Sequence, residues 1–260
     1  MFRRKAVPAS DAAIELALAS DAAARHDFDT ALALWSPLAH AGNARAQAEI
    51  GQCFVKAWGV ERNTDLAETW LQLAARADDP LGQRLLGDFY FNGEGGKPDR
   101  AIAEEWYARA AKQGDAHAQD MLSWILTDGD HRKPNYGEAR VWALKAAGQG
   151  NAASMTRLGL LYHNALGVER SAAEAARWWL QAATLGDADG QAMLGIAYHL
   201  GQGVTKNPVR ALAWLSLART QRSKFADRYY HAVLSACTPA QRGEAEKLAY
   251  LPPDTWGAAP

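Results

Sequence analysis

The sequence predicts an all-α protein, a right-handed α–α superhelix of five full helix-pair repeats closed at both ends by helical caps. Three observations carry this expectation. One tryptophan returns every 36 residues, a large apolar residue beside a small one returns in the same frame, and a turn followed by a capping residue separates the two halves of every unit.

The tryptophans are Trp70, Trp106, Trp142, Trp178 and Trp214. Alanines stand three residues before each one (Ala67, Ala103, Ala139, Ala175, Ala211) and four residues after it (Ala74, Ala110, Ala146, Ala182, Ala218). Offsets of three and four describe one helix face, so these positions define the second helix of each unit and the tryptophans are expected to be core. The first helix is marked by Ile50, Leu86, Leu122, Leu158 and Leu194, each followed by a small residue: Gly51, Gly87, Ser123, Gly159 and Gly195. Glycine inside a helix costs about 1 kcal/mol relative to alanine. Its recurrence implies a neighbour that comes close to the backbone.

Between the helices lie Ala57-Trp58-Gly59-Val60, Gly93-Glu94-Gly95-Gly96, Ala165-Leu166-Gly167-Val168 and Gly201-Gln202-Gly203-Val204, where glycine supplies the positive φ of a turn. The third unit departs from this pattern with Ser123 and with Asp128-Gly129-Asp130-His131, and a locally distorted turn is expected there. Asn63, Asp99, Asn135, Ser171 and Asn207 then cap the second helices. Ser171 with Glu174 has the spacing of a capping box, as do Thr238 and Gln241 further on.

The repeats are therefore 44–79, 80–115, 116–151, 152–187 and 188–223. Residues 1–43 form a helical cap with a degenerate unit, in which Trp35 falls one short of the period and Pro37 sits where a regular second helix disfavours it. Residues 224–250 supply C-terminal capping helices, and 251–260 read as a flexible tail. Atypical end units are what a stacked array needs to cover its outermost apolar faces.

The pattern resembles the Sel-one-like repeat family, a tetratricopeptide-related group of helical solenoids. Gly82-Gln83, Leu86-Gly87, Tyr90, Gly93, Gly95, Asp99, Ala103, Trp106-Tyr107, Ala110-Ala111 and Gly114 carry the resemblance in one repeat, and it extends over roughly residues 28–223. The family's members mostly serve as adaptors or scaffolds. The resemblance thus implies a protein or peptide partner held on the concave face, with no cofactor. The cysteine-stapled secreted branch of the family is not matched, because Cys53 and Cys237 are the sole cysteines.

If first helices line that face, its exposed positions include Lys56, Arg84, Asp88, Phe91, Trp124, Asp128, Arg157, Leu160, His163, Ile196 and His199. Aromatic residues and arginine are enriched at binding hot spots. The expected partner-binding set is Arg84, Asp88, Phe91, Trp124, Arg157, Leu160, His163 and His199, with the alternative for Trp124 that it packs into the neighbouring repeat beside Ser123.

Charge and composition narrow the partner class. A net charge of −1 and a pI near 6.7 leave no electrostatic footprint for nucleic acid. No apolar run is long enough to span a bilayer, and Asp11 and Glu15 interrupt the N-terminal segment. A cytoplasmic location is expected, or a periplasmic one if a leader precedes the chain. The oligomeric state is left open.

Catalytic patterns are weak by comparison. His163 and His199 occupy equivalent positions in adjacent repeats but lack an evident third metal ligand. Asp128-Gly129-Asp130 starts like a calcium loop whose twelfth position would be Ala139 rather than glutamate. Gly93-Glu94-Gly95-Gly96-Lys97 follows a helix and lacks the Lys-Ser/Thr ending of a phosphate loop. Cys53 takes a position filled by Phe89, Ile125, Leu161 and Ala197 elsewhere, hence a core residue. The chain is therefore read as a non-enzyme. The alternatives are a hydrolase acting on a cell-wall or nucleotide substrate with its site spread over several repeats, and a structural element that stacks into oligomers.

Overall fold

The computed structural model describes residues 9–256, and these contain fourteen α-helices in consecutive pairs with no strand among the described residues. The chain forms two compact units, residues 1–122 and 123–260. The first contains α1 (Ala9–Ala24), α2 (Phe28–His40), α3 (Ala44–Lys56), α4 (Thr64–Arg76), α5 (Pro80–Asn92), α6 (Arg100–Lys112) and the first half of α7 (Ala116–Asp128). The second contains the rest of α7, then α8 (Tyr136–Gly148), α9 (Ala152–His163), α10 (Ala172–Thr184), α11 (Ala188–Leu200), α12 (Pro208–Thr220), α13 (Lys224–Ala236) and α14 (Pro239–Ala249).

Side-chain caps set the helix starts. The backbone N–H groups of Leu66, Ile102, Glu138, Glu174 and Arg210 donate to the side chains of Asn63, Asp99, Asn135, Ser171 and Asn207. The first helices are capped in the same way by Asn43, Asp79, Asp115, Asn151 and Asp187. Each cap satisfies an N–H that the helix itself leaves free. Thr238 and Gln241 complete a reciprocal capping box at the start of α14, at 3.3 and 2.9 Å.

Every intra-repeat hairpin is closed by one backbone bond, from the capping residue of the second helix to the last-turn carbonyl of the first. The pairs are Asn63 to Phe54, Asp99 to Tyr90, Asn135 to Leu126, Ser171 to Tyr162 and Asn207 to Tyr198, at 2.8 to 3.2 Å. The third turn keeps this bond at 2.8 Å, and Gly129 takes the same left-handed conformation as Gly93 and Gly201. Gly129 is not part of a hydrogen-bonded turn as Ala57, Gly93, Ala165 and Gly201 are, so the departure expected there is local. A glycine at the left-handed position is what allows the substituted polar turn to keep the hairpin bond. Successive repeats are joined by buried glutamines: Nε2 of Gln47, Gln83, Gln119 and Gln191 donates to the carbonyl of Ala39, Ala75, Ala111 and Ala183.

The core differs from the expectation about the tryptophans. Trp142 and Trp214 are buried, but Trp70, Trp106 and Trp178 are only half-buried. Cations cover the outer faces of two of them, Arg109 at 4.3 Å from the Trp106 ring and Lys145 at 4.0 Å from that of Trp142. The residue after each tryptophan is buried in every repeat: Leu71, Tyr107, Ala143, Trp179 and Leu215. In four repeats that side chain fills the space above the glycine of the first helix. A Cβ at Gly87 would lie 2.8 Å from the Tyr107 ring, and one at Gly159 only 2.2 Å from Nε1 of Trp179. Gly51 faces Leu71 and Gly195 faces Leu215 in the same way. The third repeat carries Ser123 and Ala143 at these two positions, so its larger first-helix residue is matched by the smallest second-helix one.

The ends also depart from expectation. α2 continues through Pro37 to His40 with Trp35 buried two residues before it, at the loss of the one backbone donor that proline lacks. The segment read as a flexible tail over 251–260 is docked as far as Trp256. Pro253–Thr255 form a 3-10 turn, the Trp256 ring packs 4.4 Å from that of Trp214, and Arg210 Nη2 donates to the Trp256 carbonyl at 2.8 Å. Burial of an indole on the last periodic tryptophan is what holds it; residues 257–260, like 1–8, lie outside the described residues. Cys53 and Cys237 are both buried free thiols. Phe28 stacks on the half-exposed Trp58 at 5.0 Å.

Replacing Gly159 by alanine is expected to lower the unfolding free energy by about 1–3 kcal/mol through overpacking against Trp179. Gly148→Ala, at a helical site with nothing within 4 Å of the added carbon, is expected to be neutral or stabilising by up to about 1 kcal/mol. Urea unfolding of the two variants compares them directly.

Candidate functional site

The expected binding residues fall into two groups by unit. Arg84, Asp88 and Phe91 lie on α5 and, with Lys56 of α3, belong to the first unit. Trp124, Arg157, Leu160, His163 and His199 lie on α7, α9 and α11 of the second and are all half-buried.

In the first unit three successive first helices, α3, α5 and the start of α7, surround a cleft of about 310 Å³. Leu71, Leu85, Phe89 and Tyr107 form its apolar floor. Phe91 and Met121 stand as half-buried walls, and Lys56 lies at the exposed rim. The register of the repeats explains the geometry, since Leu71 and Tyr107 are the residues seated on Gly51 and Gly87. The packing that joins the two helices of a repeat therefore also sets the depth of the cleft.

Asp88 is its electrostatic centre. Its Oδ1 accepts from the Tyr107 hydroxyl at 2.7 Å and lies 3.5 Å from His117 Nε2, while Oδ2 accepts from Arg84 Nη1 at 3.1 Å. Arg84 Nε reaches the Asp115 carboxylate at 3.3 Å, which ties the network to the residue capping α7. Burial pushes the Asp88 carboxyl up, but the hydrogen bonds from His117 and Tyr107 and the charges of His117 and Arg84 outweigh it and hold the pKa below the ordinary 3.8. The hydrogen bond to Asp88 raises His117 above its ordinary 6.5, against the opposing effect of desolvation. Burial, followed by the Asp88 charge, keeps the Tyr107 phenol protonated. A carboxylate held ionised by several donors is a structural anchor rather than a free general base.

His117 and Tyr107 escaped the sequence reading as site residues. Tyr107 carried a usable signal, because it puts a phenol where the other repeats have Leu71, Ala143, Trp179 and Leu215. A buried hydroxyl needs a partner. His117 carried none, since the equivalent positions hold Arg45, Leu81, Ala153 and Asp189 without common character.

In the second unit Leu160 and His163 line a cleft of about 310 Å³ together with Ile196, and the His163 ring lies 5.5 Å from Trp179. No group of three or more His, Cys, Asp or Glu side chains is placed to hold a metal among the described residues. No helix among them is long and apolar enough to cross a membrane.

Paired helices of nearly constant length, started by the same caps and closed by the same hairpin bond from repeat to repeat, define a helical-repeat solenoid protein. Residues 44–79, 80–115, 116–151, 152–187 and 188–223 each match the Sel1 repeat, and the chain belongs to the Sel1 repeat family. Proteins of this family generally mediate protein–protein interactions and are generally not enzymes. Among solved structures, c5321, described as a protective antigen present in uropathogenic Escherichia coli strains and displaying an SLR fold, is 29% identical, with a TM-score of 0.84 over 92% of this chain and 52% of that one. The chain thus spans about half the length of that protein. A Sel1 repeat protein from Oxalobacter formigenes is 24% identical, with a TM-score of 0.80 over 95% of this chain and 99% of that one, and shares the fold. No curated protein matches the chain.

The two shifts give a signed pH prediction. The raised His117 contributes stability that is fully present below about 6.5 and is lost as pH rises through its folded value. The lowered Asp88 contributes stability present above about 3.8 and lost as pH falls through its folded value. The wild type should therefore exceed His117→Ala in urea midpoint most clearly between these limits, and the gap should close on the alkaline side. An NMR titration midpoint for His117 at or below 6.5, or one unmoved by Asp88→Asn, would contradict the arrangement.

Proposed function

We propose that the chain is a protein-interaction module whose first unit seats one large apolar side chain of a partner segment in the cleft beside Asp88. The observation that carries this reading is the contrast within the cleft: an open hollow walled by the half-buried Phe91 and Met121 over a buried apolar floor, next to a charged network whose members already satisfy one another. Such a network costs little to leave in place when a partner covers it. It also keeps the walls fixed, so less side-chain entropy is lost on binding. A cleft of about 310 Å³ lies at the small end of the ~300–1,000 Å³ typical of ligand pockets. That suits an anchor side chain, with Lys56 and His117 at the rim available to polar groups flanking it.

The reading is tested with a displayed peptide library selected against the intact chain. Enriched peptides are expected to share one large apolar residue and to lose binding at least about tenfold to Met121→Asp or Phe91→Ala, with the melting temperature of each variant measured alongside. Enriched peptides that bind both folded variants as well as the wild type would rule the cleft out.

A further inference from the structure

The cleft of the second unit stands in the same register as the first, three repeats further along the chain, and its chemistry has been rewritten. Ile196 replaces Asp88 at the centre, Phe225 replaces His117, and Trp179 replaces Leu71 on the floor. The first cleft is lined by Lys56, Asp88, Glu94 and His117, two of them carboxylates. No carboxylate lines the second, whose one fixed charge is Arg228, at the position that holds the buried Asp120 in the first unit.

Exposed apolar surface surrounds this charge. Leu200 and Phe225 are 51% and 41% exposed, although both lie against the cleft. Singly exposed apolar residues are ordinary, but adjacent ones rimmed by charge mark an interaction surface. Phe225 and Arg228 also border a neighbouring hollow with Arg222 and Lys224. Arg219 of α12 lies 3.8 Å from the carboxylate of Asp227 on α13, whereas Arg222, Lys224 and Arg228 form no ion pair among the described residues. The acids of that hollow each accept from an internal donor, although Asp189 is itself exposed. Asp187 accepts from the Thr156 hydroxyl and the Gly190 N–H, each at 2.7 Å, and Asp189 from the Ser223 hydroxyl at 2.7 Å.

From this we infer that the second cleft docks an acidic peptide segment of a partner protein, with one large apolar side chain seated among Leu160, Trp179 and Ile196 and flanking carboxylates on Arg228 and Lys224. The apolar floor gives the anchor its burial, and the cations select the sign of the residues beside it. The inference does not rest on the reading of the first unit, whose cleft holds a buried carboxylate at the equivalent centre.

The test is fluorescence anisotropy on the intact chain with three short labelled peptides: phenylalanine flanked on both sides by aspartates, the same with lysines, and the aspartate peptide with alanine for phenylalanine. The aspartate–phenylalanine peptide is expected to bind at least about tenfold tighter than either counterpart, and more weakly as salt rises. Arg228→Glu, at an exposed position, and Phe225→Ala should each weaken it about tenfold or more, while Met121→Asp in the first unit leaves it within about twofold. Equal affinity for the acidic and basic peptides, absence of saturable binding, or undiminished binding by the folded Arg228→Glu chain would overturn the inference. Loss of binding in Met121→Asp alone would place the peptide in the first cleft and overturn it equally.

Discussion

The rest of the structure depends on the close approach of a second-helix side chain to a first-helix glycine. In four of the repeats the residue following the periodic tryptophan lies where a glycine Cβ would otherwise be, as Tyr107 does on Gly87 and Trp179 on Gly159. The glycines weaken their own helices, by about 1 kcal/mol each relative to alanine. Full burial of a leucine, tyrosine or tryptophan side chain offsets that, at roughly 1.5–3 kcal/mol for a side chain of leucine or phenylalanine size. The third repeat shows the same constraint from the other side, since Ser123 is matched by Ala143. The larger first-helix residue is met by the smallest second-helix one.

This constraint also shapes the surface. Leu71 and Tyr107 floor the first cleft and Trp179 the second, so each cleft is the open side of a contact that holds a repeat together. Changes at the floor are restrained by packing, whereas changes at the walls are free to alter chemistry. The first unit places Asp88, His117 and Lys56 there and the second places Ile196, Phe225 and Arg228. One scaffold thus carries two clefts of matching register and different electrostatics.

Much of this was legible in the sequence. The period, the second-helix caps and the hairpin turns follow from residue types at fixed offsets, and each is a local property that spacing alone can express. What escaped depends on contacts distant in sequence. Periodicity marks Trp70, Trp106 and Trp178 as a shared position, but only the rotation of the helix determines that Leu71, Tyr107 and Trp179 face inward instead. Of the α5 residues, Asp88 and Phe91 line one cleft, and Arg84 reaches it only through its bond to Asp88, because position within a first helix largely fixes direction. His117 joins them from another repeat, and Trp256 returns to Trp214 across more than a full repeat. Neither pairing leaves a trace in local pattern.

A double-mutant cycle at Gly159 and Trp179 tests the central claim most directly, because Gly159→Ser with Trp179→Ala rebuilds the pairing of the third repeat. The account predicts strong coupling. Each single change should destabilise, and the double variant should be more stable than the summed single effects by about 1–3 kcal/mol in urea unfolding. Additivity within about 0.5 kcal/mol would show that the two positions do not constrain each other, and would contradict the account.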